Sequence, residues 1–248
     1  MDNRTAFVFV HGFMGTDEVR LPFYACECFR GLRRLRASLD VPVLAARLPR
    51  NAGVAERARV LAAFLDGAGY GRYALIGHSM GGLVARYLAA KLDPDRKVRA
   101  VATLGTPHHG SVLAARALES AAPVYALARR IVPRALADLT PDFCKTFNAE
   151  TSDRDDVLYL SYGAARPLGE MPFWARPWWR LLAAAGGGND GQVTVASTRW
   201  TGFQDDVLRA DHWELLGWSM ALPSRAEARP FDNLGLYARV IAKIRAEI

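Results

Sequence analysis

One pentapeptide has the order of a nucleophile turn: Gly77-His78-Ser79-Met80-Gly81. It follows the apolar run 73–76 directly and precedes a helical pattern over 82–92. Glycines two before and two after a serine let neighbouring backbones close in. The sharp strand-to-helix turn lifts the hydroxyl clear of the sheet, at the N-terminus of the next helix. The chemistry such a turn serves is acyl transfer. That chemistry needs a base, a carboxylate to orient the base, and donors for a developing oxyanion.

The histidines are His11, His78, His108, His109 and His212. In a strand–helix chain with this turn the order is nucleophile, acid, histidine, so the base comes late. His212 alone follows position 109 and is the expected base. The acid must lie between it and Ser79, after a later strand. Asp156, Asp205 and Asp206 sit at or before the start of strand patterns, at the wrong edge of a parallel sheet. Asp211 adjoins the histidine and is badly placed to orient its ring. Asn189-Asp190-Gly191 is a turn sequence beyond a strand, which selects Asp190. The amide of Met80, next to the nucleophile, is one expected oxyanion donor. The other is Phe13 N–H, in the loop Val10-His11-Gly12-Phe13-Met14-Gly15 after the first apolar run. His11 is expected to hold that loop by ring hydrogen bonds. His108 and His109 are expected to cap a loop at the same sheet edge rather than line a pocket.

The elements that must position these residues alternate. Apolar runs at 6–10, 41–44, 73–76 and 98–104 read as buried strands. Between them, helical spacing covers 23–39, 54–65 and 82–92. That rhythm predicts a mostly parallel sheet with helices on both faces. After Thr106-Pro107 it breaks. Residues 111–148 are Ala-, Leu- and Arg-rich and interrupted by Pro123, Pro133 and Pro141, which predicts short helices without a strand. A strand returns at 157–162. Residues 166–188 then carry Trp174, Trp178 and Trp179, half of the six tryptophans, before three glycines. This stretch reads either as a mobile cover over the site or as an irregular loop anchored by its aromatics. Val207-Leu208 ends one more strand, and residues 234–247 form the closing helix. The expectation is one domain over 1–248, with helical insertions at about 111–150 and 166–188.

With 248 residues, 51% of them hydrophobic, the chain has material for one α/β core and is not a disordered or collagen-like sequence. No run reaches the length of a membrane span. The N-terminal apolar run is short and ends in His11-Gly12, unlike a signal peptide, so the expected location is cytoplasmic. Cys26, Cys28 and Cys144 are an odd, sparse set, expected as buried thiols rather than a disulfide framework. The net charge is +7, with only four lysines among the 32 basic residues. Residues 20–60 hold nine arginines against Glu27, Asp40 and Glu56, a local +6. No nucleic-acid module accompanies this charge, and nucleic acid is not an expected partner; a non-catalytic basic binding domain is the remote alternative to an enzyme. A basic flank suits steering toward an anionic lipid surface.

His11-Gly12-Phe13-Met14-Gly15, Gly77-His78-Ser79-Met80-Gly81-Gly82 and Leu104-Gly105-Thr106-Pro107-His108-His109-Gly110-Ser111 resemble bacterial triacylglycerol lipases of the Pseudomonas, Burkholderia and Proteus type. These belong to the α/β-hydrolase superfamily. The resemblance is dense over about residues 5–111 and resumes at Asn189-Asp190-Gly191 and at His212. It implies an α/β-hydrolase fold, a carboxylester hydrolase activity, Ser79–Asp190–His212 as the triad, and a lid formed by the helices after Ser111. The same triad on the same fold also serves acyltransferases, thioesterases and polyester depolymerases. Those lipases hold a structural calcium, partly through an aspartate two residues past the histidine and a glutamine four further on. This chain has Glu214 and Trp218 there, so no calcium and no other cofactor is expected.

Overall fold

In the computed structural model the described residues are 2–13, 15, 18–21, 24–120, 130, 133–220 and 231–248. Met14, Phe23 and Pro123, which entered the sequence reading, lie outside them, as does most of 121–132. Eight strands are present among these residues: β1 (Asp2–Val10), β2 (Glu18–Leu21), β3 (Tyr24–Glu27), β4 (Val43–Ala46), β5 (Tyr70–His78), β6 (Val98–Leu104), β7 (Leu158–Ala164) and β8 (Phe203–Leu208). Six of them form one parallel sheet in the order β4-β1-β5-β6-β7-β8. The chain leaves β1 toward β4, crosses back to β5, and then advances outward. The switch point therefore falls between β1 and β5. In open parallel sheets a ligand crevice opens at the carboxyl ends of the strands at such a point.

The sheet is buried on both faces, which is why its strands read as unbroken apolar runs. Side chains alternate across it. Ala6, Val8, Val10, Tyr73 and Leu75 face α2 (Val54–Ala68) and α3 (Met80–Lys91). Phe7, Phe9, Ala74 and Ile76 face α1 (Leu32–Ser38) and the closing helix α9 (Asn233–Glu247). There Phe9, Phe29 and Tyr237 meet edge-on, with ring centroids 5.0–6.0 Å apart. In α2 the buried stripe is Val54, Arg57, Ala58, Leu61 and Leu65, helical spacing with one arginine in it.

Two sequence expectations are corrected. The pattern over 23–39 is not one helix. It is the antiparallel hairpin β2–β3 followed by the short α1. Gly31 separates them at φ 80°, where a Cβ would press the Leu234 side chain of α9 at 3.0 Å. Helical continuation is thus given up for the close approach of a distant helix. The second strand lies at Val43–Ala46 rather than 41–44. Between β6 and β7 run α4 (Val112–Glu119), α5 (Pro133–Ala137) and α6 (Pro141–Glu150), the expected short helices. Past β7, residues 166–188 are not an irregular loop. They hold two 3-10 turns and α7 (Arg176–Gly186), which packs against α4. The short helix α8 (Val195–Thr198) precedes β8.

Candidate active site

Ser79 joins β5 to α3 at φ 54° and ψ −130°, one of two described non-glycine residues with positive φ. Such a conformation costs about 1–3 kcal/mol and persists only where the surroundings enforce it. Three hydrogen bonds do so. Ser79 N–H donates to Leu104 O at 2.9 Å, and Ser79 O accepts from Thr106 Oγ1 at 2.8 Å and from Gly82 N at 3.0 Å. The glycines are required by space. A Cβ on Gly77 would lie 2.5 Å from Gly82 N, and one on Gly81 would lie 2.1 Å from Val10 O. Met80 opens α3, so its amide is among those with no acceptor inside the helix.

The β1 loop closes on this turn. A Cβ at Gly12 would stand 2.7 Å from Ser79 Cβ and 3.3 Å from Ser79 Oγ. The segment carrying Phe13 therefore runs against the serine. His11 holds it as expected. Leu48 N–H donates to His11 Nε2 at 3.2 Å, and His11 Nδ1 lies 3.1 Å from both Gly12 O and Arg57 Nη2.

Sequence reasoning missed Arg57. It was counted with the basic flank, yet it is fully buried beneath this loop. Its Nη2 donates to His11 O and Gly12 O at 2.6 and 3.0 Å, and its Nη1 to Pro49 O at 2.8 Å. Burial draws its pKa down to about 10, so it stays charged at neutral pH. The signal was an arginine on the apolar stripe of α2.

Asp190 and His212 meet at the same sheet edge. Asp190 Oδ2 accepts from His212 Nδ1 at 2.7 Å. Its Oδ1 accepts from the amides of Gln192 and Val193 at 2.9 and 2.7 Å. Backbone reinforces the pair, because His212 N–H donates to Asp190 O at 2.9 Å. The turn that makes this possible has Gly191 at φ 89°. Both side chains are almost closed to solvent (His212 4% exposed, Asp190 0%), and Ser79 is 8% exposed. The end of β6 lies against them. A Cβ on Gly105 would come within 3.1 Å of Asp190 Oδ2 and 3.4 Å of His212 Nδ1.

The aspartates set aside are elsewhere. Asp205 and Asp206 are exposed within β8, and Asp156 pairs with Arg154 and Arg96. Asp211 turns its Oδ1 to the amides of Trp213 and Glu214. Burial, with Glu214 beside it, pushes the Asp211 carboxyl up to about 7.

His78, given no role by sequence, backs His212. Its Nε2–H donates to His212 O at 3.0 Å, and its buried Nδ1 has no hydrogen-bond partner among the described residues. Burial, and the neighbouring His212, hold it neutral. His108 and His109 cap the loop after β6. His108 is buried, its Nδ1 accepting from Arg86 at 3.2 Å, and His109 donates to Arg199 O at 3.1 Å. Arg86 itself lies 3.8 Å over the Trp200 ring. Of the tryptophans in the β7 insertion, Trp174 and, through it, Trp178 reach toward the site by way of Trp213. Trp174 meets it edge-on at 4.8 Å, and Trp213 stands 6.4 Å from the His212 ring. Cys28 and Cys144 are buried and in no disulfide among the described residues. No group of three or more His, Cys, Asp or Glu suited to a metal occurs among the described residues.

A switch point in a parallel sheet, a strained serine and a buried acid–histidine pair suit a hydrolase. A family model described as the alpha/beta hydrolase fold matches residues 47–213, and the chain belongs to that family. Among curated proteins it is 28% identical over 212 residues to triacylglycerol lipase 2 of Saccharomyces cerevisiae, covering 79% of this chain and 64% of that one. It is 32% identical over 116 residues to a triacylglycerol lipase of Pseudomonas fragi, covering 47% of this chain and 39% of that one. The matches thus span less than two thirds of these relatives. Among solved structures, a metagenomic carboxyl esterase superposes with TM-score 0.81 at 18% identity, covering 98% of this chain and 76% of that one. The Staphylococcus hyicus lipase superposes with TM-score 0.69 at 17% identity, covering 99% and 97%. At such identities these structures establish the fold alone.

Proposed function

We propose that the chain is a serine carboxylester hydrolase of the lipase and esterase kind, with Ser79, Asp190 and His212 as its triad. The 2.7 Å contact of Asp190 Oδ2 with His212 Nδ1, at the sheet edge that carries the strained Ser79, is the observation that carries this reading. His212 Nε2 takes the Ser79 proton as Oγ attacks the ester carbonyl. Asp190 fixes the ring tautomer and stabilises the imidazolium. The amides of Phe13 and Met80 hold the oxyanion. The alcohol leaves with the proton from His212, and water activated by the same ring releases the acyl group from Ser79.

Within this class the Pseudomonas, Burkholderia and Proteus type of lipase is favoured by the three matching motifs and by the likeness to the Pseudomonas fragi lipase. The helices at about 111–150 and 166–188 then act as a cap lining an acyl pocket. Phe173, 68% exposed on that cap, suits contact with a lipid surface.

The test is hydrolysis of p-nitrophenyl esters from short to long acyl chains and of emulsified triglyceride, with fluorophosphonate labelling alongside. Ser79→Ala should lower turnover by roughly 10⁴-fold or more and abolish labelling. Retention of most activity in that variant would sink the assignment.

A further inference from the structure

The lipases that this chain resembles bind calcium beside the histidine loop, and the residues present do not fit that ion. Both oxygens of Glu214 are taken by one guanidinium, from Arg166 Nε at 2.8 Å and Nη2 at 2.7 Å. Trp218 offers no oxygen ligand from its side chain, and its indole N–H donates to Cys28 O at 2.7 Å.

Arg166 reaches further than one ion pair. Its Nη1 donates to Glu170 Oε2 at 2.8 Å, and Glu170 also pairs with Arg209. Its backbone N–H donates to Asn189 O, next to Asp190, at 3.0 Å. Its carbonyl accepts from Trp179 Nε1 at 2.7 Å. On the far side, Glu214 Oε2 also accepts from Asp211 N–H at 2.8 Å, while Asp211 Oδ1 closes the turn in return. One nearly buried residue therefore meets all three: its backbone joins the acid loop and Trp179, and its side chain joins the histidine loop to Glu170 of the insertion. A bidentate guanidinium suits this task because its fork fixes direction as well as charge.

We propose that the Arg166 guanidinium is the resident cation of the histidine loop, doing through Glu214 what a bound metal does in related hydrolases. Arg166 is thus a positioning residue for His212, and the site works without calcium. The inference rests on the assignment of His212 as base.

Its test has two arms. In the first, melting of the wild-type protein is followed with chelator and with added calcium. The two curves should agree within about 1 °C, since a ligand that does not bind the native state cannot shift its stability. A drop of several degrees on chelation would overturn the proposal. This arm needs no activity, so it stands even if the protein hydrolyses no ester and takes no fluorophosphonate, results that would instead remove the assigned function.

In the second arm Arg166→Ala should lose about 10- to 100-fold in kcat with KM little changed, because a small misplacement of the base is enough. Low, non-denaturing guanidinium should recover part of that loss, which a merely structural defect would not show. A folded Arg166→Ala variant with wild-type kcat, or a loss untouched by guanidinium, counts against the proposal. If that variant does not fold, Arg166→Lys decides, since it keeps the charge without the fork. Reduced kcat in a folded lysine variant supports the positioning role, and wild-type kcat refutes it.

Discussion

Ser79 and Gly12 meet through backbone, whereas Asp190 and His212 are held by loops and side-chain charge. On the first side, glycines at 12, 77 and 81 remove atoms that would collide, and hydrogen bonds to the Ser79 peptide groups enforce its conformation. On the second, a turn positions Asp190, and a buried Arg166–Glu214 pair holds the loop that carries His212. In the roles proposed, a nucleophile and its oxyanion donors must keep tight backbone geometry, which steric exclusion enforces best. A base that exchanges protons is instead held by its hydrogen-bond partners, as His212 is.

The comparison can be broken most severely at the acid. Asp190→Asn keeps an oxygen for the amides of Gln192 and Val193 but presents N–H to His212 Nδ1, which favours the wrong tautomer. Turnover should fall about 10⁴-fold. The variant should remain folded by circular dichroism, and near-normal rates would remove Asp190 from its role. On the backbone side, Gly12→Ala forces an atom to within 2.7 Å of Ser79 Cβ. A loss of about 10²-fold in kcat is expected from displacement of the oxyanion loop. Wild-type kcat would show that the loop has slack the contacts do not suggest.

Arg57→Met tests whether a buried cation serves the backbone side too. It strips the carbonyls of His11, Gly12 and Pro49 of their donor and should cost about 2–4 kcal/mol in denaturant unfolding. A smaller fall in kcat should accompany it. An unchanged unfolding midpoint would mean that water replaces the guanidinium.

The smallest effect concerns pH. Burial holds His78 and His108 well below 6.5, with Arg86 adding to the effect at His108. Below about pH 6.5 the unfolded chain therefore binds protons that the folded one refuses, and stability falls as pH drops. Each such histidine contributes a slope of about 1.4 kcal/mol per pH unit until its own depressed pKa is reached. His108→Gln should make urea stability less steep between neutral and mildly acid pH. Identical slopes would show that His108 titrates normally.

Much of the first side was legible in the sequence. Strand, glycine-flanked serine and helix are adjacent in the chain, and the clash that demands the glycines is local. The strand over 98–104 was read to the residue for the same reason, as a continuous apolar run with clear ends. The second side was legible only as an order of residues, with Asp190 reached by excluding the other aspartates. The hairpin at 18–27 escaped because helical spacing over 23–39 masked it, and the break at Gly31 is imposed by Leu234, some 200 residues away. Arg57 was read as surface charge although its spacing put it on the buried stripe of α2.

Already legible in the chain were the glycine-flanked serine turn, the loop after the first strand, the late histidine and the parallel alternation, because short-range sterics and side-chain period act between neighbours. Only the folded chain shows that Asp190 touches His212, that Arg57 lies beneath the loop after β1, and that Arg166 grips Glu214 two residues past His212. Those contacts join residues 22, 45 and 48 positions apart, and only the folded sheet brings them within hydrogen-bonding range.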